Sequence, residues 1–214
     1  MSPAEVQTEL DAYDGAIAYL DFELDALLNQ LADRGLDNTL VIITSDHGEQ
    51  FGEHGLFSHG NSLYAQTLRV PLIVVFPGHV PAHKTVPQIV SLRDVPSTIL
   101  DLLNLPESPS FGNTLRHYWE SDNPSINADS PILSELSRGY GQTWYPSSKG
   151  DMRSVVIDMI HYIQNGDGST EAYDLARDPF EANVIRSNDW KQRFGPFPEW
   201  SKFENRRSGP ANGN

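Results

Sequence analysis

Residues 39–78 read TLVIITSDHGEQFGEHGLFSHGNSLYAQTLRVPLIVVFPG, and the fold turns on this stretch. Thr39-Leu-Val-Ile-Ile-Thr44 is a continuous β-branched and apolar run, the pattern of a parallel strand buried on both faces. Val70-Pro-Leu-Ile-Val-Val-Phe76 repeats that pattern and stops at Pro77-Gly78. A loop carrying Gly48, Gly52, Gly55 and Gly60 separates the two runs. Working outward, Ile89–Leu92 is expected to be a third short strand, and Asp94-Val-Pro96 to open a helix through Thr98, Ile99, Leu102 and Leu103.

Upstream, Leu10, Tyr13, Ile17, Leu20, Leu24, Leu27 and Leu31 recur at spacings of 3 and 4, which predicts one amphipathic helix from Pro3 to Arg34. Ser2-Pro3 supplies a cap with proline behind it, and Gly35 a stop. The same spacing suits a short coiled coil; the buried-strand pattern that follows at once favours a helix laid on a sheet. Helix, strand, loop, strand and helix read together as α/β with a mainly parallel sheet.

Downstream of Leu105 the composition changes. Residues 106–130 are rich in Pro, Ser, Asn and Gly and are expected to connect two parts of the chain. Residues 131–136, 153–158, 159–164 and 171–175 are candidate strands of a small antiparallel sheet, with Asn165-Gly166 at a turn. The expected organisation is therefore an α/β part over residues 1–105, the connection over 106–130, a small subdomain over 131–195 and an irregular tail over 196–214. No internal repeat is evident.

The chain has 214 residues, with 15 Lys and Arg against 29 Asp and Glu, a formal net charge of −14. Residues 1–37 hold nine of the acids against Arg34 alone. So acidic a chain is not expected to bind nucleic acid or anionic membranes. No apolar run reaches the ~18 residues of a membrane-spanning helix. MSPAEVQTELDAYD is acidic where a signal peptide is basic and then apolar. With no cysteine there is no disulfide, no thiolate metal site and no cysteine nucleophile.

The chemistry concentrates between Thr44 and Asn61. Ligands in open α/β sheets lie beyond the carboxyl ends of strands, where Asp46 and His47 stand. A carboxylate beside an imidazole suits a divalent cation, and Gly48 allows the bend that turns both towards one. Glu49, Glu53, His54 and His59 follow on a glycine-rich loop, where backbone can approach an oxyanion. An N-cap or turn is the alternative use of Asp46-His47, and a loop-stabilising hydrogen bond that of His59. Tyr140, Trp144 and Tyr145 could line a sugar-binding or aryl-binding rim, or simply pack.

Asn38 to Gly78 resembles the sulfatase family of the alkaline-phosphatase-like superfamily. YDGAIAYLDFELDALLNQLADRGL resembles the helix that precedes this segment in the family, and SLRDVPSTILDLLNL the helix that follows. FGNTL resembles the family's Gly-Ser-Leu segment, and EAYDLARDPFEANVI its C-terminal "LYDL-x-x-DP-x-E-x-N" signature. The resemblance implies the C-terminal half of an alkaline-phosphatase-like catalytic domain plus its small C-terminal subdomain. It implies metal-assisted hydrolysis of a sulfate ester, on a small molecule or a sulfated glycan. It makes Asp46 and His47 the second pair of metal ligands, for Ca²⁺ first and for Mn²⁺ or Zn²⁺ as alternatives. His59 falls where many members carry a lysine that contacts the sulfate.

Members use a formylglycine made from Cys or Ser in a Cys/Ser-x-Pro-x-Arg motif, and an early Asp-Asp pair. Neither is present: Ser208-Gly-Pro-Ala-Asn212 has Asn in place of Arg. The chain alone is therefore expected to be inactive; an alternative reading is a non-catalytic fragment that works only with a complementary N-terminal half. The same superfamily includes phosphonate and phosphodiester hydrolases and phosphoethanolamine-type transferases, which remain alternatives. The resemblance makes a periplasmic or secreted location plausible for a full-length relative and leaves this chain's location unknown.

Overall fold

A computed structural model describes residues 1–36, 38–106, 112–120 and 131–185. Most of the expected connection at 106–130, and all of the expected tail at 196–214, lie outside the described residues. The chain divides into two units, one of residues 1–61 and 66–82, the other of 62–65 and 83–214.

The first unit opens with helix α1, Pro3–Asp33. Its start is the predicted one: Ser2 Oγ accepts the Glu5 amide and Glu5 Oε2 accepts the Ser2 N–H, a reciprocal capping box. Strand β1, Val41–Thr44, is followed by the two-residue strands β2, Gln50–Phe51, and β3, Phe57–Ser58, which pair as a hairpin. The short helix α2, Ala65–Leu68, and strand β4, Leu72–Val75, complete the run. Tyr13 of α1 meets Phe51 of β2 edge to face, ring centroids 5.1 Å apart.

The expected parallel pairing is corrected here. β1 and β4 are neighbours, but they run antiparallel, Val41 opposite Val75 and Thr44 opposite Leu72. An apolar run reports burial and carries no information on direction. Burial itself is one-sided in β4, where Ile73 and Val75 stand half exposed and alternate with covered neighbours. Among the described residues every ladder is antiparallel.

In the second unit the expected strand at 89–92 is absent. Ser91 Oγ accepts the Arg93 amide and Asp94 Oδ2 the Ser91 N–H, which closes a 3₁₀ turn at Leu92–Asp94 instead. Helix α3, Val95–Leu102, continues from it as predicted. The Gly112–Leu115 segment is fastened to α3: Thr98 Oγ1 accepts the Leu115 amide, and Ser97 Oγ donates to Gly112 O. Helix α4, His117–Glu120, is held by Arg116, which bridges Asp101 and Glu120.

The expected antiparallel subdomain is a meander of β5, Ile132–Leu136, β6, Met152–Ile157, β7, Ile160–Gln164, and β8, Thr170–Asp174, in that spatial order. β6 turns into β7 at Asp158-Met159, both with positive φ (50° and 64°), as a two-residue hairpin requires. Val155, Tyr162 and Ala172 lie side by side across the sheet and form a core with Ile160, against which Leu133, Ile157 and Ile185 pack. On the other face Ser154, Ile163 and His161 are buried too. β6, β7 and β8 thus each bury neighbouring residues on both faces, β7 over most of its length.

The C-terminal signature has a structural use in this unit. Glu181 and His161 form a buried pair, and the second oxygen of Glu181 accepts the Ala65 amide at 2.7 Å. Glu171 receives the hydroxyls of Tyr64 and Tyr173 and the amide of Asn165. Burial, reinforced by Glu171, pushes both tyrosine hydroxyls well above their ordinary range, so they remain donors.

Candidate functional site

The site grows from the carboxyl end of β1. Thr44 Oγ1 donates to Pro71 O at 2.7 Å, tying the end of β1 to the approach of β4. Ser45 Oγ donates to His47 O at 2.8 Å, and Asp46 Oδ1 accepts the His47 amide at 3.1 Å, so the bend closes on itself. Gly48 is required for room, not for an unusual φ. A Cβ there would lie 2.1 Å from Gln66 O, and the Gly48 amide donates to Thr67 O at 2.9 Å.

His47 Nδ1 lies 2.9 Å from Gly48 O. A carbonyl only accepts, so that nitrogen carries the proton and Nε2 keeps its lone pair for a ligand. Nε2 is 3.8 Å from Asp46 Oδ1, and both side chains are open to solvent. Two donors at that separation can share one ion at ordinary ligand distances of ~2.0–2.6 Å. Among the described residues no group of three or more His, Cys, Asp or Glu is placed to hold a metal. Asp46 and His47 therefore fit as a pair of ligands, and an ion held there needs others.

His59 comes back to His47 through the β2–β3 hairpin. Gln50 faces Ser58 in the ladder, and the next pair outward is Glu49 and His59. Glu49 Oε2 sits 3.0 Å from His59 Nδ1, and the His59 ring stacks on His47 with centroids 4.0 Å apart and planes inclined by 27°. The fold thus brings Asp46, His47 and His59 together, all three predicted from sequence.

Sequence reasoning placed Glu49 in the loop cluster but did not pair it with His59. Treating Gly52–Leu56 as the five-residue tip of a hairpin, with Phe51 opposite Phe57, would have set residue 49 opposite residue 59. Glu53 and His54 serve the tip: Glu53 Oε2 accepts the Phe51 amide at 2.7 Å, and His54 has a positive φ of 55°. Asn61 is buried, and its amide nitrogen donates to Phe57 O at 2.7 Å, fastening the chain as it leaves β3.

Comparison with known proteins defines the class. Residues 3–105 match the family described as Sulfatase. That part of the chain belongs to the sulfatase family, with the alkaline-phosphatase-like fold. An arylsulfatase of Clostridium perfringens (strain 13 / Type A) is 29% identical over 212 residues, covering 95% of this chain and 42% of the relative. A structure solved in complex with its substrate, D-glucosamine-2-N,6-O-disulfate, superposes with a TM-score of 0.71 at 24% identity, over 83% of this chain and 36% of that one. The phosphonate monoester hydrolase of Agrobacterium radiobacter superposes with a TM-score of 0.69 at 26% identity, over 86% of this chain and 38% of that one. The chain spans less than half the length of these relatives.

Proposed function

We propose that this chain supplies one half of the metal and sulfate site of a sulfuric ester hydrolase. The observation that carries the reading is the stack of His59 on His47 beside Asp46, because it joins the candidate metal ligands to the candidate sulfate contact. Asp46 and His47 hold a divalent cation, Ca²⁺ in the first instance, which when bound draws electron density from an oxygen of the sulfate ester. Glu49 fixes the His59 ring through Nδ1 and leaves Nε2 free to donate to a sulfate oxygen when protonated. Stacking on His47 holds that ring plane, so neither imidazole must be ordered at the moment of reaction.

The formylglycine nucleophile and the first ligand pair have no match in residues 1–214; in this reading both come from outside these residues, and a complementary N-terminal polypeptide is one source. The exposed apolar face of α1 supports that reading, since none of its residues is buried. The purified chain is expected to give no turnover of an aryl sulfate. Ca²⁺ titrated into it by calorimetry is expected to bind weakly, with Asp46→Ala abolishing the heat, because two ligands meet little of calcium's ~6–8 oxygen requirement. Tight Ca²⁺ binding unaffected by Asp46→Ala would remove the metal assignment. Aryl sulfate hydrolysis lost in the same variant would remove the need for a partner.

A second reading has its own support in the likeness to the phosphonate monoester hydrolase. One imidazole among oxygen ligands suits Mn²⁺ or Zn²⁺ as readily as Ca²⁺. Mn²⁺ or Zn²⁺ binding Asp46-His47 far more tightly than Ca²⁺ would favour a phosphonate or phosphodiester substrate, or a phosphoethanolamine-type transfer.

A further inference from the structure

The loop between β5 and β6 holds aromatic rings in water on a frame that is firmly bonded. Its base is fixed where Gly150 and Gly166 pack so closely that a Cβ on Gly150 would lie 2.4 Å from Gly166 O. Gly139 N–H donates to Ser147 O at 3.0 Å, Arg138 N–H to Asp151 Oδ1 at 2.7 Å, and Tyr145 N–H to Gln142 O at 2.9 Å. Ser148 Oγ donates to Tyr145 O at 2.8 Å. Lys149 Nζ is 2.9 Å from Asp167 Oδ2, and Ser169, with Lys149 second, holds the Asp167 carboxyl far below the usual carboxylate range.

On this frame Tyr140 is fully exposed and Trp144 is 63% exposed. Bonds at Arg138, Gly139 and Tyr145 restrain the backbone on either side of Tyr140, which lowers the ordering cost a ligand must meet there. Tyr140 borders an open surface depression of about 560 Å³ together with Arg138, Thr143, Ser148 and Lys149. Arg138 is held by Nε, which donates to Ser148 O at 3.1 Å, and neither Nη has a partner among the described residues. Lys149 is neutralised by Asp167, which leaves Arg138 as the cation here that can meet an anion, on a chain of net charge −14. A flat ring beside a free guanidinium matches a ligand that has a C–H face on one side and an oxyanion on the other.

We propose that the β5–β6 loop is a binding subsite for an anionic saccharide, the ring lying on Tyr140 and its sulfate or carboxylate on Arg138. The inference rests on the sulfate-ester reading above and deepens it, since it selects sugars over simple aryl or alkyl esters. The test is an ¹H–¹⁵N titration of the full chain in EDTA, following the indole N–H of Trp144, assigned with Trp144→Phe. The probes are D-glucosamine 6-sulfate, N-acetylglucosamine and inorganic sulfate.

The sulfated sugar is expected to shift the Trp144 signal with a Kd on the order of millimolar, and the neutral sugar and sulfate at least about tenfold more weakly. Tyr140→Ala and Arg138→Met are each expected to weaken binding about tenfold, with Asp46→Ala unchanged. Arg138→Met removes a loop hydrogen bond, so Tyr140→Ala, which removes only exposed surface, decides the matter if Arg138→Met unfolds the loop. Wild-type affinity in Tyr140→Ala, equal binding of sulfate alone, or no shift at roughly 50 mM sugar overturns the subsite. Binding that instead shifts the His47 and His59 ring signals and is lost in Asp46→Ala overturns the subsite while supporting the sulfate site. Binding at the loop with no Ca²⁺ heat at Asp46 does the reverse.

Discussion

At the scale of single residues, Gly48 is where the site has least tolerance. Any side chain there collides with Gln66 O at 2.1 Å, and backbone cannot step aside as a flexible side chain can. Gly48→Ala is expected to cost about 1–3 kcal/mol, read as a fall in urea midpoint at constant slope. An unchanged midpoint would show that the β1 exit can relax. Glu49 has a separate consequence. As a carboxylate it only accepts, so neutral His59 is held with its proton on Nδ1. Two-bond ¹H–¹⁵N spectra above the histidine titration range are expected to show the Nδ1–H tautomer for His59 in the wild type. Glu49→Leu removes the acceptor, and His59 is expected to turn to the commoner Nε2–H mixture while His47, bonded to Gly48 O, keeps its form. Identical His59 signals in both proteins would sink the pairing. Asp46, His47 and His59 could be named from sequence because their residue types carry the chemistry on a strand exit. The pairing of Glu49 with His59 could not, because the two lie ten residues apart and the register depends on a hairpin that two-residue strands scarcely announce.

At the scale of elements, residue pattern located the strands and helices better than it oriented them. Helix α1 was legible to within a residue at each end because its cap and stop are written in side chains, Ser2, Pro3, Glu5 and Gly35. The antiparallel meander was legible as well, since its strands are short, adjacent and joined by tight turns. The direction of β1 against β4 was not. Pro71 comes 27 positions after Thr44, and a connection of that length can return in either sense. Nor was the 3₁₀ turn at 92–94, where a side-chain cap at Ser91 overrode a run of β-branched and apolar residues. Burial now separates the elements energetically. Ile163 in β7 has no exposed surface, so Ile163→Ala is expected to cost about 2–5 kcal/mol. Leu20 in α1 is 57% exposed, so Leu20→Lys is expected to stay within about 0.5 kcal/mol. Equal losses in thermal or urea melts of the two variants would mean that α1 is covered in solution.

For the molecule as a whole, charge and apolar surface pull in opposite directions on the same helix. Tyr19, Leu20, Phe22 and Leu27 of α1 are each more than half exposed, an apolar surface of a kind that soluble chains normally cover. Eight acids lie on the same helix, so two copies that approach through α1 meet like charge first. At low ionic strength the repulsion reaches over ~30 Å at 0.01 M salt; at 1 M salt it is confined to ~3 Å, while the hydrophobic attraction persists. The chain is therefore expected to associate more strongly as salt rises, the opposite of an assembly held by ion pairs. Sedimentation velocity at micromolar protein should show the weight-average mass increasing between about 0.02 and 0.5 M NaCl. Leu20→Lys with Phe22→Lys should return it towards the monomer at high salt. Association that falls with salt would mean that charge pairing holds the copies together. A monomer at every salt concentration would mean that α1 finds its cover within the chain, and the case for a complementary polypeptide would then lose its structural support.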